Sequence, residues 1–390
     1  MELFRILLIL LIIMIFSYIL YGLLHERAIL LKKNASIKEG LTALNPEVAV
    51  LARYAPSISI QNMNDNRKNQ ALREYCIKGS YNSAYTGKNI STDMIQYVLS
   101  RGCRFIDLQI HYSEKDNIVY VANITDPKAI QMESTNRLPL DTIFHTIITN
   151  AFSNIQSSTG CPNPKDPLFI HLRIIENKHT KIYDKIAGLI KKHFPVHKRF
   201  TPPQPNIKGK PLLVNWFNQL NPNNRKQRQR AQKIDGYTRM DQHMMGKTIF
   251  LIDKTYNPDW TKNSKRLPEY INGETGGNTF QLHDYNKMQN REKTPPIVQD
   301  NFKITNIIHE KIVIPDLPEK TTAPNIIDMV INYGVQVVLY PFYKQSDNLT
   351  QSENLFNEYK SSFVPMAYAI QYLGRVKNEL DNNRITFGSF

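Results

Sequence analysis

The sequence predicts an α/β protein, a parallel sheet closed into a (β/α) barrel and preceded by one transmembrane helix. Three observations carry this. Short apolar runs alternate with amphipathic stretches of helical period along most of the chain, the pattern of parallel strands joined by helical crossovers. At 390 residues, with no internal repeat, the chain can bury one large core. Ile6 to Leu24 holds no charged residue and is mostly Ile and Leu.

That apolar stretch would span about 28 Å as a helix, close to the roughly 30 Å hydrocarbon thickness of a bilayer. Tyr18 and Tyr21 lie near one end, where aromatic belts form. A cleaved signal peptide would be shorter and followed by small residues, whereas Leu23-Leu24-His25-Glu26-Arg27 follows here. Residues 1–33 are therefore expected to be an anchor with a basic flank. Arg27, Lys32 and Lys33 lie after the span, and the positive-inside rule leans towards a cytoplasmic or virion-internal globular part.

Residues 34–73 are broken and polar, and are expected to be a tether with short helical pieces. The barrel is expected over 74–375. Its first strand is predicted around Tyr75–Gly79, and Ser91 caps a helix that runs to Ser100 and stops at Gly102. Strands are predicted at Arg104–Ile110, Ile118–Ala122, Pro167–Ile174, Pro211–Trp216, Thr248–Ile252 and Val335–Tyr340. Helices are predicted at Asp141–Phe152, Thr180–Phe194 and Ser352–Tyr359, with Ile182, Ile186, Leu189 and Ile190 on one face of the second. Leu267–Lys293 is expected to be a loop, and 376–390 a tail.

The formal charge of +15 bears on partners: anionic lipid surfaces, nucleic acid or acidic proteins. The most basic stretch is Asn224–Arg230, inside a polar insertion at 218–245. It interleaves no aromatic residue for base stacking, which disfavours a nucleic-acid site. Gly273 and Gly276-Gly277 are not followed by Lys-Ser/Thr, so no nucleotide phosphate loop is present. The three cysteines, Cys76, Cys103 and Cys161, make neither a disulfide framework nor a zinc spacing. The sequons at Asn34, Asn89, Asn123 and Asn348 are no more than chance gives in so Asn-rich a chain.

Residues 75–152 resemble the X region of phosphatidylinositol-specific phospholipase C. Ser80-Tyr81-Asn82-Ser83-Ala84-Tyr85 follows the first strand where that family has Ser-His-Asn-Thr-Tyr. Arg101-Gly102-Cys103-Arg104 matches its Arg-Gly-Cys-Arg directly, Asp107-Leu108-Gln109 its Glu-Leu-Asp, and Val119-Tyr120-Val121-Ala122 its Val-Tyr-His-Gly. Pro167 to Arg173 resembles the strand that ends Ser-Leu-Glu, and Gly334 to Val338 the Gly-x-Gln strand. The resemblance implies an eight-stranded TIM-type barrel of the phospholipase C-like phosphodiesterase fold.

It also implies a chemistry that this chain has altered. The family uses two histidines as general base and general acid, with calcium held by Asn and carboxylates. Tyr81 stands at the first histidine position and Val121 at the second. Asn82 keeps the Asn ligand, Asp107 keeps a shortened carboxylate, Gln109 replaces an Asp and Arg173 replaces a Glu. Valine carries no proton, tyrosine is a poor base at neutral pH, and arginine repels a cation. No catalytic group is intact and no cofactor is expected, because the calcium site is degraded. Strand alternation places Asp107, Gln109 and His111 on one face, and His171 with Arg173 on another. In the family register both faces meet at the mouth, with Arg173 paired to Asp107.

Three functions compete. The first is a membrane-anchored barrel without catalysis, serving as a structural or binding protein that contacts anionic headgroups or other structural proteins; a virion membrane is one setting the resemblance allows. The second is an active phosphodiesterase on phosphatidylinositol or glycerophosphodiesters that uses His111 or His171. The third is a basic adaptor for nucleic acid or anionic lipid. Loss of both histidines favours the first.

Overall fold

The computed structural model describes residues 45–64, 70–124, 132–153, 160–175, 180–200, 233–234, 238–240, 244–285, 310–315 and 323–387, with single residues 22 and 288. Apart from Gly22, the Ile6–Leu24 span lies outside the described residues, as do Pro211–Trp216 and Asn224–Arg230. Among the described residues no helix is long and apolar enough to cross a membrane.

In chain order the strands are β1 (Tyr75–Ile77), β2 (Gly79–Ser80), β3 (Phe105–Ser113), β4 (Ile118–Val121), β5 (Leu138–Pro139) and β6 (Leu168–Ile174). They continue with β7 (Thr248–Asp253), β8 (Gly273–Thr275), β9 (Phe280–Asp284), β10 (Glu310–Ile314), β11 (Val337–Tyr340) and β12 (Phe363–Pro365). The helices are α1 (Pro46–Tyr54), α2 (Thr92–Ser100), α3 (Leu140–Ala151), α4 (Lys181–His193), α5 (Trp260–Asn263), α6 (Asp347–Glu358) and α7 (Met366–Phe387).

Eight strands close a parallel barrel in the order β2-β3-β6-β7-β8-β9-β10-β11, and β11 pairs back onto β2. The outer end of β3 folds over into antiparallel β4 and β5. Burial on both faces keeps β6 and β7 mainly apolar, apart from Thr248 and the inward-facing His171, Arg173 and Asp253. Phe105, Phe169, Ile249, Leu251, Phe280, Ile312 and Leu339 fill the barrel interior. Their neighbours Ile106, Leu108, Ile170, Leu172, Phe250 and Ile252 face the helix layer. There α4 buries Ile182, Ile186 and Ile190, each worth about 1.5–3 kcal/mol relative to exposure.

The Arg101–Arg104 motif is structural and lies at the barrel floor, away from the mouth. Gly102 takes φ +79 to end α2, a conformation that costs glycine nothing. Arg101 donates through Nε and Nη2 to Glu353 on α6, at 2.9 and 2.7 Å, and Lys78 Nζ reaches the same carboxylate at 3.0 Å. Burial alone would raise the Glu353 pKa, but Lys78 and then Arg101 outweigh it and lower it. Fully buried Arg104 donates to the carbonyls of Ala151 and Asn163.

Three expectations from the sequence are corrected. The described part of the 34–73 stretch is a packed strap, not a free tether. It starts at the mouth rim, where Asn45 N–H donates to Asp93 and Glu47 accepts from Thr86 and Asn89. It descends as α1 and crosses the floor, burying Val48, Leu51, Ile60, Met63 and Leu72, and ends in β1, paired with β12. The expected loop at Leu267–Lys293 contains barrel strands β8 and β9. The expected tail from 376 onwards is largely the end of α7. Polar composition obscured the strap, β8 and β9, where packing buries only part of each element, and the end of α7, where no described side chain after Leu373 is buried.

Candidate functional site

The mouth is built from side chains that face inward at the carboxyl ends of the barrel strands, where sites of this architecture sit. β3 supplies Asp107, Gln109 and His111; β6 supplies His171 and Arg173; Tyr81 and Asn82 follow β2. Asn82 holds φ +41, a left-handed conformation that Asn tolerates better than most residues. Its backbone N–H thereby donates to Asp107 Oδ2 at 3.0 Å. The Ser83 hydroxyl accepts from Asp107 N–H at 3.0 Å, so the turn after β2 and the middle of β3 are fixed together.

Arg173 closes this centre. Its Nε donates to Asp107 Oδ1 and its Nη2 to Asp107 Oδ2, both at 2.8 Å, the bidentate geometry expected from the sequence. Nη2 also donates to Asn82 Oδ1 at 2.5 Å. The Tyr81 ring covers the guanidinium, with Arg173 Cζ 4.6 Å from its centroid. All of these groups are buried. Burial alone would raise the Asp107 carboxyl, but Arg173 and then the His171 hydrogen bond outweigh it and hold it well below the usual carboxylate range. Burial, partly offset by Arg173, pushes the Tyr81 phenol up, away from any role as a base at neutral pH.

The other predicted residues divide sharply. His171 has no solvent exposure, and both its ring nitrogens are engaged: Nδ1 with Asp107 Oδ1 at 2.9 Å and Nε2 with Thr275 Oγ1 at 2.8 Å. Gln109 clips the segment after β4, donating to Ile124 C=O at 2.7 Å and accepting from Ile124 N–H at 2.8 Å. His111 stacks on Tyr120, centroids 5.6 Å apart, and its buried Nε2 has no hydrogen-bond partner among the described residues. Burial, with Arg173 adding to it, lowers the His111 pKa to about 4. Val121 packs with its register partner Ile110 in the layer between barrel and helices.

Sequence reasoning missed four residues here. Thr275 orients His171. Asn123 accepts from Asn82 Nδ2 at 2.7 Å. Asp253 ends β7 one residue past the predicted strand, and alternation with Ile249 and Leu251 would have turned it inward. Tyr256 lies within electrostatic reach of Arg173, Asp253, Asp284 and Asp107, and no sequence pattern marks it. Among the described residues no group of three or more His, Cys, Asp or Glu is placed to hold a metal ion.

Residues 68–194 match the family model described as phosphatidylinositol-specific phospholipase C, X domain. No curated protein sequence matches the chain. Among solved structures, PLC21 of L. pealei superposes with a TM-score of 0.51 at 14% identity, covering 85% of this chain and 43% of that one. PLC21 of S. officinalis gives 0.50 at 12% identity, covering 82% and 40%. The chain thus spans less than half the length of either. Over 68–194 it is similar to the X domain of phosphatidylinositol-specific phospholipase C, and its barrel is of the fold those structures share.

Proposed function

We propose that this chain is a membrane-anchored phospholipase C-like barrel that binds rather than hydrolyses. The observation that carries the reading is the Arg173–Asp107 pair. Where the resemblance implies a calcium ion between Asn82 and Asp107, a guanidinium already bonds to both. A second cation there would meet a fixed positive charge, so the residues do not fit calcium and no step is routed through it. Neither proton carrier is at hand: Tyr81 sits over Arg173, and Val121 faces the helix layer. The Ile6–Leu24 segment supplies the anchor on sequence grounds, and a barrel held at a bilayer would meet lipid headgroups first. Inositol phosphate release from phosphatidylinositol in mixed micelles is the test. Release at the background rate, with or without calcium, supports the reading; enzyme-dependent release overturns it.

One observation favours the second reading. The Nε2 of His111, neutral at pH 7 and without a hydrogen-bond partner among the described residues, has no such bond to break before it takes a proton. If release is seen and vanishes in His111→Gln, that reading holds.

A further inference from the structure

Arg173 has a carboxylate on each flank and uses only one. On β3 it meets Asp107. On β7 the register runs through Leu172↔Ile252, so Asp253 lies one step further, level with Arg173. Ile249 and Leu251 point into the barrel, and alternation sends Asp253 the same way. Asp253 is 2% exposed. Its Oδ1 accepts from Thr255 N–H at 2.8 Å, and its Oδ2 has no hydrogen-bond partner among the described residues. A buried carboxylate oxygen left unbonded is costly, and one facing a mouth is a place where a ligand donor would be welcome.

The surroundings fix the sign and kind of that donor. Asp284 ends β9 in phase with the inward-facing Phe280 and Leu282. Arg173 is already paired with Asp107 and makes no hydrogen bond to Asp253 among the described residues, and Asp253 and Asp284 both lie near Tyr256, in a protein of net charge +15. Lys254, next to Asp253, is instead near Glu274, at 3.9 Å. The phenol of Tyr256 is 38% exposed beside the same carboxylates, which sets an aromatic face next to an anionic one. That pairing suits an alkylammonium group, which needs charge and a π surface.

We propose that the Asp253 side of the mouth, with Asp284 and Tyr256, binds the ammonium group of a small organic cation, either a free amine or the headgroup of a zwitterionic lipid. This deepens the binding reading of the same mouth and rests on it. Arg173 remains committed to Asp107, and the ligand completes Asp253.

The test is calorimetric titration of the full chain, in an uncharged maltoside detergent, with ethanolammonium chloride and with glycerophosphoethanolamine, whose primary ammonium groups carry N–H donors for Asp253. One-to-one binding of either compound is expected, weakened about tenfold or more in Asp253→Asn and weakened also in Tyr256→Leu, with melting temperatures showing both variants folded. Tighter binding of glycerophosphoethanolamine identifies the lipid headgroup as the source; tighter binding of ethanolammonium identifies a free amine. No heat from either compound up to tens of millimolar, or equal affinity in Asp253→Asn, overturns the proposal and leaves Asp253 a carboxylate satisfied by water. Inositol phosphate release scored on the same samples keeps the two claims apart, because it tests hydrolysis whatever the ammonium result.

Discussion

Arg173 on β6 and Asp107 on β3, two residues apart in the register of these neighbouring parallel strands, meet through two N–H···O contacts of 2.8 Å each with no water-exposed edge. Such a pair adds little net stability, because desolvation offsets the attraction, but breaking it from one side strands a buried charge.

Arg173→Met should therefore lower unfolding free energy by about 3–5 kcal/mol. The double variant Asp107→Asn/Arg173→Met should recover most of that loss. The pH dependence has a definite sign. Asp107 is depressed in the folded state, so its contribution is present above about pH 4 and drains away as pH falls through the folded value. Urea melts between neutral pH and pH 3 should show this acid loss in the wild type and a smaller one in the double variant.

Glu310 should behave in the opposite sense. It opens β10 at the floor, 1% exposed, with Oε1 unpartnered among the described residues. Burial, partly opposed by Arg73, pushes its pKa up to about 8. Below about pH 4.5 the carboxyl is protonated folded or unfolded and costs nothing. As pH rises towards 8 the unfolded chain ionises first, and stability falls. Glu310→Gln should raise the melting temperature, by more at pH 8 than at pH 5; a uniform shift would mean the carboxyl is not the cause.

Much of this architecture was legible because its signals were local. Strand β6 announces itself as a buried run from Leu168 to Ile174 broken only by His171 and Arg173, and Asp107 and Arg173 could be paired because motif and alternation agreed. β8 gave no such signal: Gly273-Glu274-Thr275 is three residues long and joins the sheet only through its neighbours. β9 shows Gln281 and His283 on its outer face, which masks Phe280 and Leu282. Helix α1 carried a readable start, Asn45 as cap and Pro46 in the first turn, yet it lay in a stretch that looked like a tether. The site's second half, Asp253 and Tyr256, follows from the barrel's closure, which no stretch of sequence encodes alone.

Truncation separates anchor from strap. A chain beginning at residue 34 should stay folded, because it keeps the whole described strap from Asn45 onwards. One beginning at residue 65 loses the buried side chains of Val48, Leu51, Ile60 and Met63, each worth about 1.5–3 kcal/mol. It should melt many degrees lower or aggregate. Equal melting temperatures would show that the strap is dispensable.

Gly102→Ala probes the floor motif. An added Cβ would lie 2.7 Å from Ile60 Cδ1 at a φ of +79, so a loss of about 1–3 kcal/mol is expected. Binding at the mouth should be unchanged, since the motif holds the floor; loss of binding in a folded variant would place it in the site.

The central claim is that Arg173 stands where the resemblance implies a metal ion. Calorimetric titration of the wild-type chain with calcium tests it most directly. The expected result is no saturable heat and no rise in melting temperature at millimolar calcium. Saturable binding that is lost in Asp107→Asn would contradict it.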